Sequence, residues 1–200
     1  MSPARARDQT DPMSSGKLAM WSFLVSEAMF IAGPVVAYVA IRTSNPVRFD
    51  PTFLARTFGS TLDVPLATVE TLVLILASWT MALGTDAVSR RNNLALRRCL
   101  LLTAALGLSF CGFRWIEYGV LRDRWIFPGT SIFHSFYFAL TGVHLVHVIG
   151  GVVFLLGFFV AARDGRHVKP GNSSVECLGL YWHFATLAWF FLFPLFYLIR

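Results

Sequence analysis

Five stretches of this chain, each about 20 residues long or longer, are almost free of charged side chains. A helix rises about 1.5 Å per residue, so about 20 apolar residues cross the hydrocarbon core of a bilayer, which is about 30 Å thick. Backbone groups find no water in that core, so each stretch is expected to be an α-helix. The sequence therefore predicts an all-α integral membrane protein with five transmembrane helices, at residues 18–41, 65–84, 99–121, 131–162 and 177–199.

The composition agrees with a membrane protein and excludes several other classes. Hydrophobic residues make up 56% of the 200 residues and charged residues only 14%, whereas soluble domains carry about 25% charge. This composition excludes a disordered chain and a disulfide scaffold. The domain organisation predicted is a polar N-terminal tail at residues 1–16, followed by a transmembrane domain at residues 17–200.

The basic residues predict the orientation of the helices. With the N-terminus inside, ten of the 17 Lys and Arg residues lie on the inner side, six lie on the outer side, and Arg114 lies within a span. Basic residues favour the cytoplasmic side, so we expect a cytoplasmic N-terminus and an outer C-terminus. The net charge of +6 is then explained by topology. No zinc spacing or basic helix supports nucleic acid as a partner.

Eight ionisable residues fall inside the predicted spans. An isolated charge at the bilayer centre costs at least about 2.5 to 3.5 kcal/mol on insertion scales. Such a residue is therefore expected to face other helices or a cavity, to have a partner, or to be neutral. The eight residues are Glu27, Glu70, Arg114, Glu117, His134, His144, His147 and His183.

The charged residues among them suggest different environments. Arg114 and Glu117 are three residues apart, so they share a helix face and can neutralise each other, as a structural pair or as part of a proton or ion relay. Glu27 has no basic residue within a turn. It is expected to be protonated or paired across helices, in a structural or a proton-handling role. Glu70 lies about one turn into its span and either reaches toward the headgroups or joins a buried polar network.

The histidines, the glycines and the tryptophans of the spans favour contacts between helices over a metal-binding or catalytic role. His144 and His147 share a face, but no further ligand is near, so interhelical hydrogen bonds are favoured over metal or heme ligation. Gly150 and Gly151 allow another helix or a lipid tail to approach that face. Packing or lipid contact is expected of two tryptophans seven residues apart, Trp182 and Trp189.

Motifs for catalysis are missing from the sequence, and two other classes of function stay open. Neither G-x-S-x-G nor H-E-x-x-H occurs, so no catalytic residue and no metal site is predicted. An independent proton or small-solute transporter would use Glu27, Glu70 and the two neighbouring histidines, although no inverted repeat is evident. A membrane enzyme with a diiron or copper site would need more ligands at one depth.

Several sequence strings resemble those of one family. Residues 26–30 are similar to Ser-Glu-x-x-Phe, and residues 141–151 match Thr-Gly-x-His-x-x-His-Val-x-x-Gly, the most specific string in the chain. Residues 117–118 form a Glu-Tyr pair, residues 69–80 resemble a bacterial quinol oxidase segment, and residues 181–189 resemble Tyr-Trp-His-Phe-x-Asp-x-x-Trp, which includes His183. The chain thus resembles subunit III of heme-copper oxidases, the group of cytochrome c oxidases and bo-type quinol oxidases.

Three positions differ from patterns that are common in this family. Arg114 stands where a Gln often precedes the Glu-Tyr pair, Thr186 replaces an Asp, and many cytochrome c oxidases have Asn where Glu70 stands. Related five-span proteins accompany nitric oxide reductases, so a reductase partner is the alternative to an oxidase.

The resemblance implies a fold, a location and a supporting role. The fold is the five-span version of subunit III in a bacterial inner membrane. Glu27 corresponds to the family's carbodiimide-reactive carboxylate, and it is expected to hydrogen-bond His147 across helices. The role is that of a non-catalytic accessory subunit in the aerobic respiratory chain, packed on subunit I and near subunit II, which supports proton uptake. Heme and copper are expected in the partner subunits and not in this chain, and structural phospholipid is expected as a ligand.

Overall fold

Five long helices make up the part of the chain that the structure describes. The computed structural model describes residues 15–50, 53–54, 56, 62–164 and 174–198, and all five helices are long and apolar enough to cross a membrane. The fold class predicted from the sequence is confirmed. The helices are α1 (Ser15–Ser44), α2 (Val64–Ser89), α3 (Asn93–Asp123), α4 (Ile132–Ala161) and α5 (Ser174–Phe193), and the last continues as a π-helix over Pro194–Leu198.

Most helix ends lie a few residues beyond the predicted spans. Helix α1 begins three residues before residue 18 and ends three residues after residue 41, and a short 3₁₀ helix, Pro46–Phe49, follows it. Helix α2 runs five residues beyond residue 84. Residues 1–14 of the predicted polar tail and residue 199 of the last predicted span lie outside the described residues.

Polar side chains cap the start of three helices. The side chain of Asp63 accepts a hydrogen bond from the backbone N–H of Leu66, and Asn92 accepts one from Ala95, each at 3.0 Å. Ser131 caps α4 in the same way. Each cap satisfies a backbone donor that has no partner within the helix. The turns after α2 and α3 place Arg91 and Trp125 at positive φ, a conformation frequent where helices end.

Four helices form a ring, and the first helix lies against its outside. Helices α2, α3, α4 and α5 each pack against two neighbours in that order, and α5 closes the ring on α2. Helix α1 contacts α4 and α5, and Leu24 and Tyr38 are its buried residues. The polar residues of the ring therefore face one another between α2, α3, α4 and α5.

Glycines allow the closest approach inside the ring. The indole ring of Trp182 on α5 packs against Gly107 on α3 and Gly151 on α4. A Cβ atom at Gly107 would lie 2.7 Å from Trp182 Cη2, and one at Gly151 would lie 3.0 Å from Trp182 Cε3. Trp182 is 1% exposed. The small residues therefore make room for one of the two largest buried side chains.

Candidate functional site

A buried arginine joins α2 to α3. Arg114 on α3 is fully buried. Its Nη1 lies 2.5 Å from Oε2 of Glu117, one turn further along the helix, and its Nη2 bonds to Oε2 of Glu70 on α2. The predicted pairing of Arg114 with Glu117 is confirmed. The alternative in which Glu70 reaches toward the headgroups is wrong, because Glu70 is 0% exposed and points into the helix ring.

Two tyrosines complete this group from the other two helices of the ring. Arg114 Nη1 donates to the Tyr137 hydroxyl on α4 at 3.0 Å and to the Tyr197 hydroxyl at 2.9 Å. Tyr197 donates in turn to Glu117, whose two carboxylate oxygens lie 2.8 and 2.9 Å away. We call Glu70, Arg114, Glu117, Tyr137 and Tyr197 the Arg114 cluster. All four helices of the ring meet there.

An aromatic ring covers the guanidinium of Arg114. Its Cζ atom lies 4.5 Å from the ring centroid of Trp189 on α5, a distance at which a cation interacts favourably with the face of the ring. The indole N–H of Trp189 donates to the hydroxyl of Thr71 on α2 at 3.0 Å. Of the packing and lipid-contact roles expected for Trp189, the structure shows packing, because the side chain is 1% exposed.

The second polar site joins α1 to α4. Glu27 Oε2 lies 2.9 Å from His147 Nε2, which is the contact that the family resemblance implies. His147 Nδ1 lies 2.8 Å from the carbonyl oxygen of Val143, so Nδ1 carries a proton and donates there. The contact between Glu27 and His147 then contains one proton, on either the carboxyl group or the imidazole. The side chains of both residues are about one-fifth exposed.

The other two histidines of this region bond across helices. His144 Nε2 lies 2.9 Å from the carbonyl oxygen of Ala185, which links α4 to α5. His183 Nδ1 lies 2.6 Å from the hydroxyl of Ser78, which links α5 to α2. The predicted interhelical bonding is present at His144. Within the described residues, no group of three or more His, Cys, Asp or Glu side chains is placed to hold a metal ion.

A groove lies beside the pair formed by Glu27 and His147. It measures about 670 Å³, and its lining is mostly apolar. Gly150 lies on its wall, and the Tyr181 hydroxyl is 3.5 Å from where a Cβ atom of Gly150 would stand. We call it the α1–α4–α5 groove, and it is lined among others by Met20, Phe23, His147, Gly150, Phe154 and Tyr181.

Some residues of these sites had no signal in the sequence. Tyr137 and Tyr197 lie in apolar stretches, where a tyrosine is expected to mark the membrane interface. Ser78 and Thr71 are ordinary small residues of a membrane helix. Hydroxyl groups at the same membrane depth as Arg114 would be the signal for these tyrosines. The relative depth of two residues on different helices depends on how the helices pack, which the sequence does not state.

The fold and these sites define a multi-pass helical membrane protein whose helices are joined by buried polar side chains. The family whose sequence model matches the chain is described as cytochrome c oxidase subunit III, and the match covers residues 7–199. The chain therefore belongs to the cytochrome c oxidase subunit III family. Family membership makes it an accessory oxidase subunit that forms a complex with other oxidase subunits.

Relatives of known name agree with this assignment. Cytochrome c oxidase subunit 3 of Thermostichus vulcanus is 28% identical over 183 residues, which cover 91% of this chain and 86% of the relative. The protein of that name from Synechocystis sp. is 31% identical over 178 residues, covering 88% of this chain and 72% of the relative. A probable cytochrome c oxidase subunit 3 of Nocardia farcinica is 27% identical over 178 residues, which cover 89% of this chain and 85% of the relative.

Two substitutions at Glu27 test its contact with His147. Glu27→Gln keeps a hydrogen-bonding group opposite His147 Nε2, so we expect assembly with other subunits to stay near the wild-type level. Glu27→Leu removes the partner and leaves a polar nitrogen without a hydrogen bond in a largely apolar site, which costs about 1 to 3 kcal/mol. The yield of the co-purified complex should fall for Glu27→Leu alone. Equal yields for both variants would contradict the pairing.

Proposed function

We propose that this chain packs on subunit I of a heme-copper terminal oxidase in a bacterial inner membrane, near subunit II, and supports proton uptake there. The pair formed by Glu27 and His147 carries this proposal. It stands at the position of the family's reactive carboxylate, it contains one proton in its contact, and it borders an open groove. A carboxyl group and an imidazole are both side chains that can take up and release a proton.

Heme and copper belong to the partner subunits in this proposal. The chain has polar side chains at several depths, but within the described residues no three or more His, Cys, Asp or Glu side chains are placed together as metal ligands. The contribution of this chain is mechanical and electrostatic. It stabilises subunit I and holds a protonatable pair at the edge of the complex.

The α1–α4–α5 groove is suited to a phospholipid. Its apolar walls match an acyl chain, and its volume of about 670 Å³ lies in the range of about 300–1,000 Å³ seen for ligand pockets. Lys17 Nζ and Glu176 Oε2 form an ion pair of 2.5 Å between α1 and α5, beside Gly16 and Cys177 at one end of the groove. A lipid held there would join α1 to the ring and stabilise the site of Glu27.

Affinity purification of the tagged chain in mild detergent tests the proposed role. We expect larger subunits to co-purify and the reduced-minus-oxidised optical spectrum to show heme bands. The preparation should consume oxygen. Consumption of nitric oxide in place of oxygen would assign a nitric oxide reductase partner. A colourless, monodisperse chain without partners would contradict the proposal and favour a transporter.

A further inference from the structure

The formal charges of the Arg114 cluster do not balance. One guanidinium faces two carboxyl groups, and the side chains of all three residues are at most 5% exposed. Tyr137 and Tyr197 are neutral phenols. Among the described residues, two further titratable side chains lie near the cluster and neither supplies a second positive charge inside the ring: Tyr118 bonds to Thr141, and His144 bonds to a backbone carbonyl. With both carboxyl groups ionised, the cluster would keep a net negative charge inside the membrane, which is costly.

The hydrogen bonds indicate which carboxyl group is neutral. The single O–H of Tyr197 is shared between the two oxygens of Glu117, and Oε2 also accepts a hydrogen bond from Arg114, so both oxygens act only as acceptors, as in an ionised carboxylate. Glu70 bonds only through Oε2, and its buried Oε1 has no hydrogen-bond partner among the described residues. An orphaned oxygen costs less on a neutral acid than on a carboxylate. Glu70 is therefore the member that carries a proton.

An opening connects this cluster to one end of the helix ring. A cavity of about 470 Å³ lies between the start of α2 and the end of α3, and Glu117 lines its wall. Asp63 and Arg124 line the same cavity near the helix ends, on the side that the charge pattern predicts to be outside. Water that enters the cavity reaches Glu117, whereas Glu70 lies one helix turn beyond Leu66, which also lines it.

We propose that the Arg114 cluster is a proton-binding site that holds one exchangeable proton, carried by Glu70 and exchanged with bulk water through the cavity beside Glu117. The step is an ionisation in which the O–H bond of the Glu70 carboxyl group breaks, the proton passes to a water molecule that advances from the cavity past Leu66, and a proton returned by water restores the acid. No other bond changes. This site is separate from the pair formed by Glu27 and His147.

Substitutions by glutamine test whether one of the two carboxyl groups of the Arg114 cluster carries a proton. Glu70→Gln replaces a neutral acid by a neutral amide, so Arg114 still pairs with Glu117. In Glu117→Gln, Glu70 releases its proton and pairs with Arg114. We expect each single variant to be produced at the wild-type yield, and the double variant, which leaves Arg114 with no anion, to lose most of the protein. Loss of the protein in Glu70→Gln alone would overturn the proposal.

Infrared difference spectra detect the proton itself. The purified chain, with whatever subunits accompany it, should show a carboxylic acid C=O band that disappears in both Glu70→Gln and Glu117→Gln. The control Glu176→Gln removes a carboxyl group at the other end of α5 and should leave this band unchanged. A difference spectrum between wild type and Glu70→Gln that contains only carboxylate bands would show Glu70 to be ionised and the proposal to be wrong.

Exchange with heavy water tests the route. The acid band should shift after transfer to D₂O, and Val120→Trp, which fills the cavity wall, should slow the shift several-fold. Ile116→Trp is the matched control, because Ile116 is an exposed residue of the same helix that does not line the cavity. Equal exchange rates for the two tryptophan variants would exclude the cavity as the route.

Discussion

Replacement of Arg114 by Met is expected to lower the free energy of unfolding by about 3–5 kcal/mol, because loss of one partner of a buried ion pair leaves an uncompensated charge. Arg114 Nη1 and Nη2 together bond to two carboxyl groups and two tyrosines. Titration of the purified chain with a denaturing detergent in mixed micelles measures the change. Arg114→Lys should lower the free energy of unfolding by less, because it keeps the positive charge. It should still be less stable than the wild type, because lysine offers a single nitrogen in place of the guanidinium.

The control for Arg114→Met is an arginine at the surface. Arg90, the residue that directly follows α2, pairs at 2.7 Å with Asp86, four residues earlier, and both side chains are exposed. Such a pair contributes about 0.3–0.5 kcal/mol, so Arg90→Met should leave the unfolding curve almost unchanged. Similar curves for Arg90→Met and Arg114→Met would show that the Arg114 cluster does not hold the ring together.

Replacement of Gly107 by Ala is the second change with a large expected effect. The added Cβ atom would lie 2.7 Å from Trp182 Cη2 and 2.8 Å from Val152 Cγ2. Both neighbours are buried, so α3 must move away from α4 and α5 or Trp182 must change its rotamer. Overpacking of this kind costs about 1–3 kcal/mol. The same detergent titration should therefore show a less stable chain.

Gly112→Ala supplies the matched control on the same helix. Gly112 is exposed, and no heavy atom lies within 4 Å of the position of its Cβ. The chemical change is identical to that at Gly107, but nothing has to move. We expect wild-type stability for this variant, and a loss equal to that of Gly107→Ala would mean that helix α3 itself, and not the contact with Trp182, is sensitive to the substitution.

The sequence predicted the local part of the two polar sites. Arg114 and Glu117 are three residues apart, so helix geometry alone places them on one face, and their pairing followed from spacing. The Glu27 contact with His147, 120 residues away, came from the family resemblance and not from spacing. Spacing alone cannot decide between a surface role and a buried role for Glu70, because its partner lies 44 residues away on another helix.

Five apolar stretches determined by themselves that the chain crosses a membrane as five helices, because the bilayer requires internal backbone hydrogen bonds over a fixed length. The spacing within each stretch also determined which side chains share a face. Only the tertiary structure decided which faces meet and at what depth. Helix rotation and vertical register depend on the packing of pairs such as Trp182 with Gly107. That packing places Glu70, Arg114, Tyr137 and Tyr197 at one level.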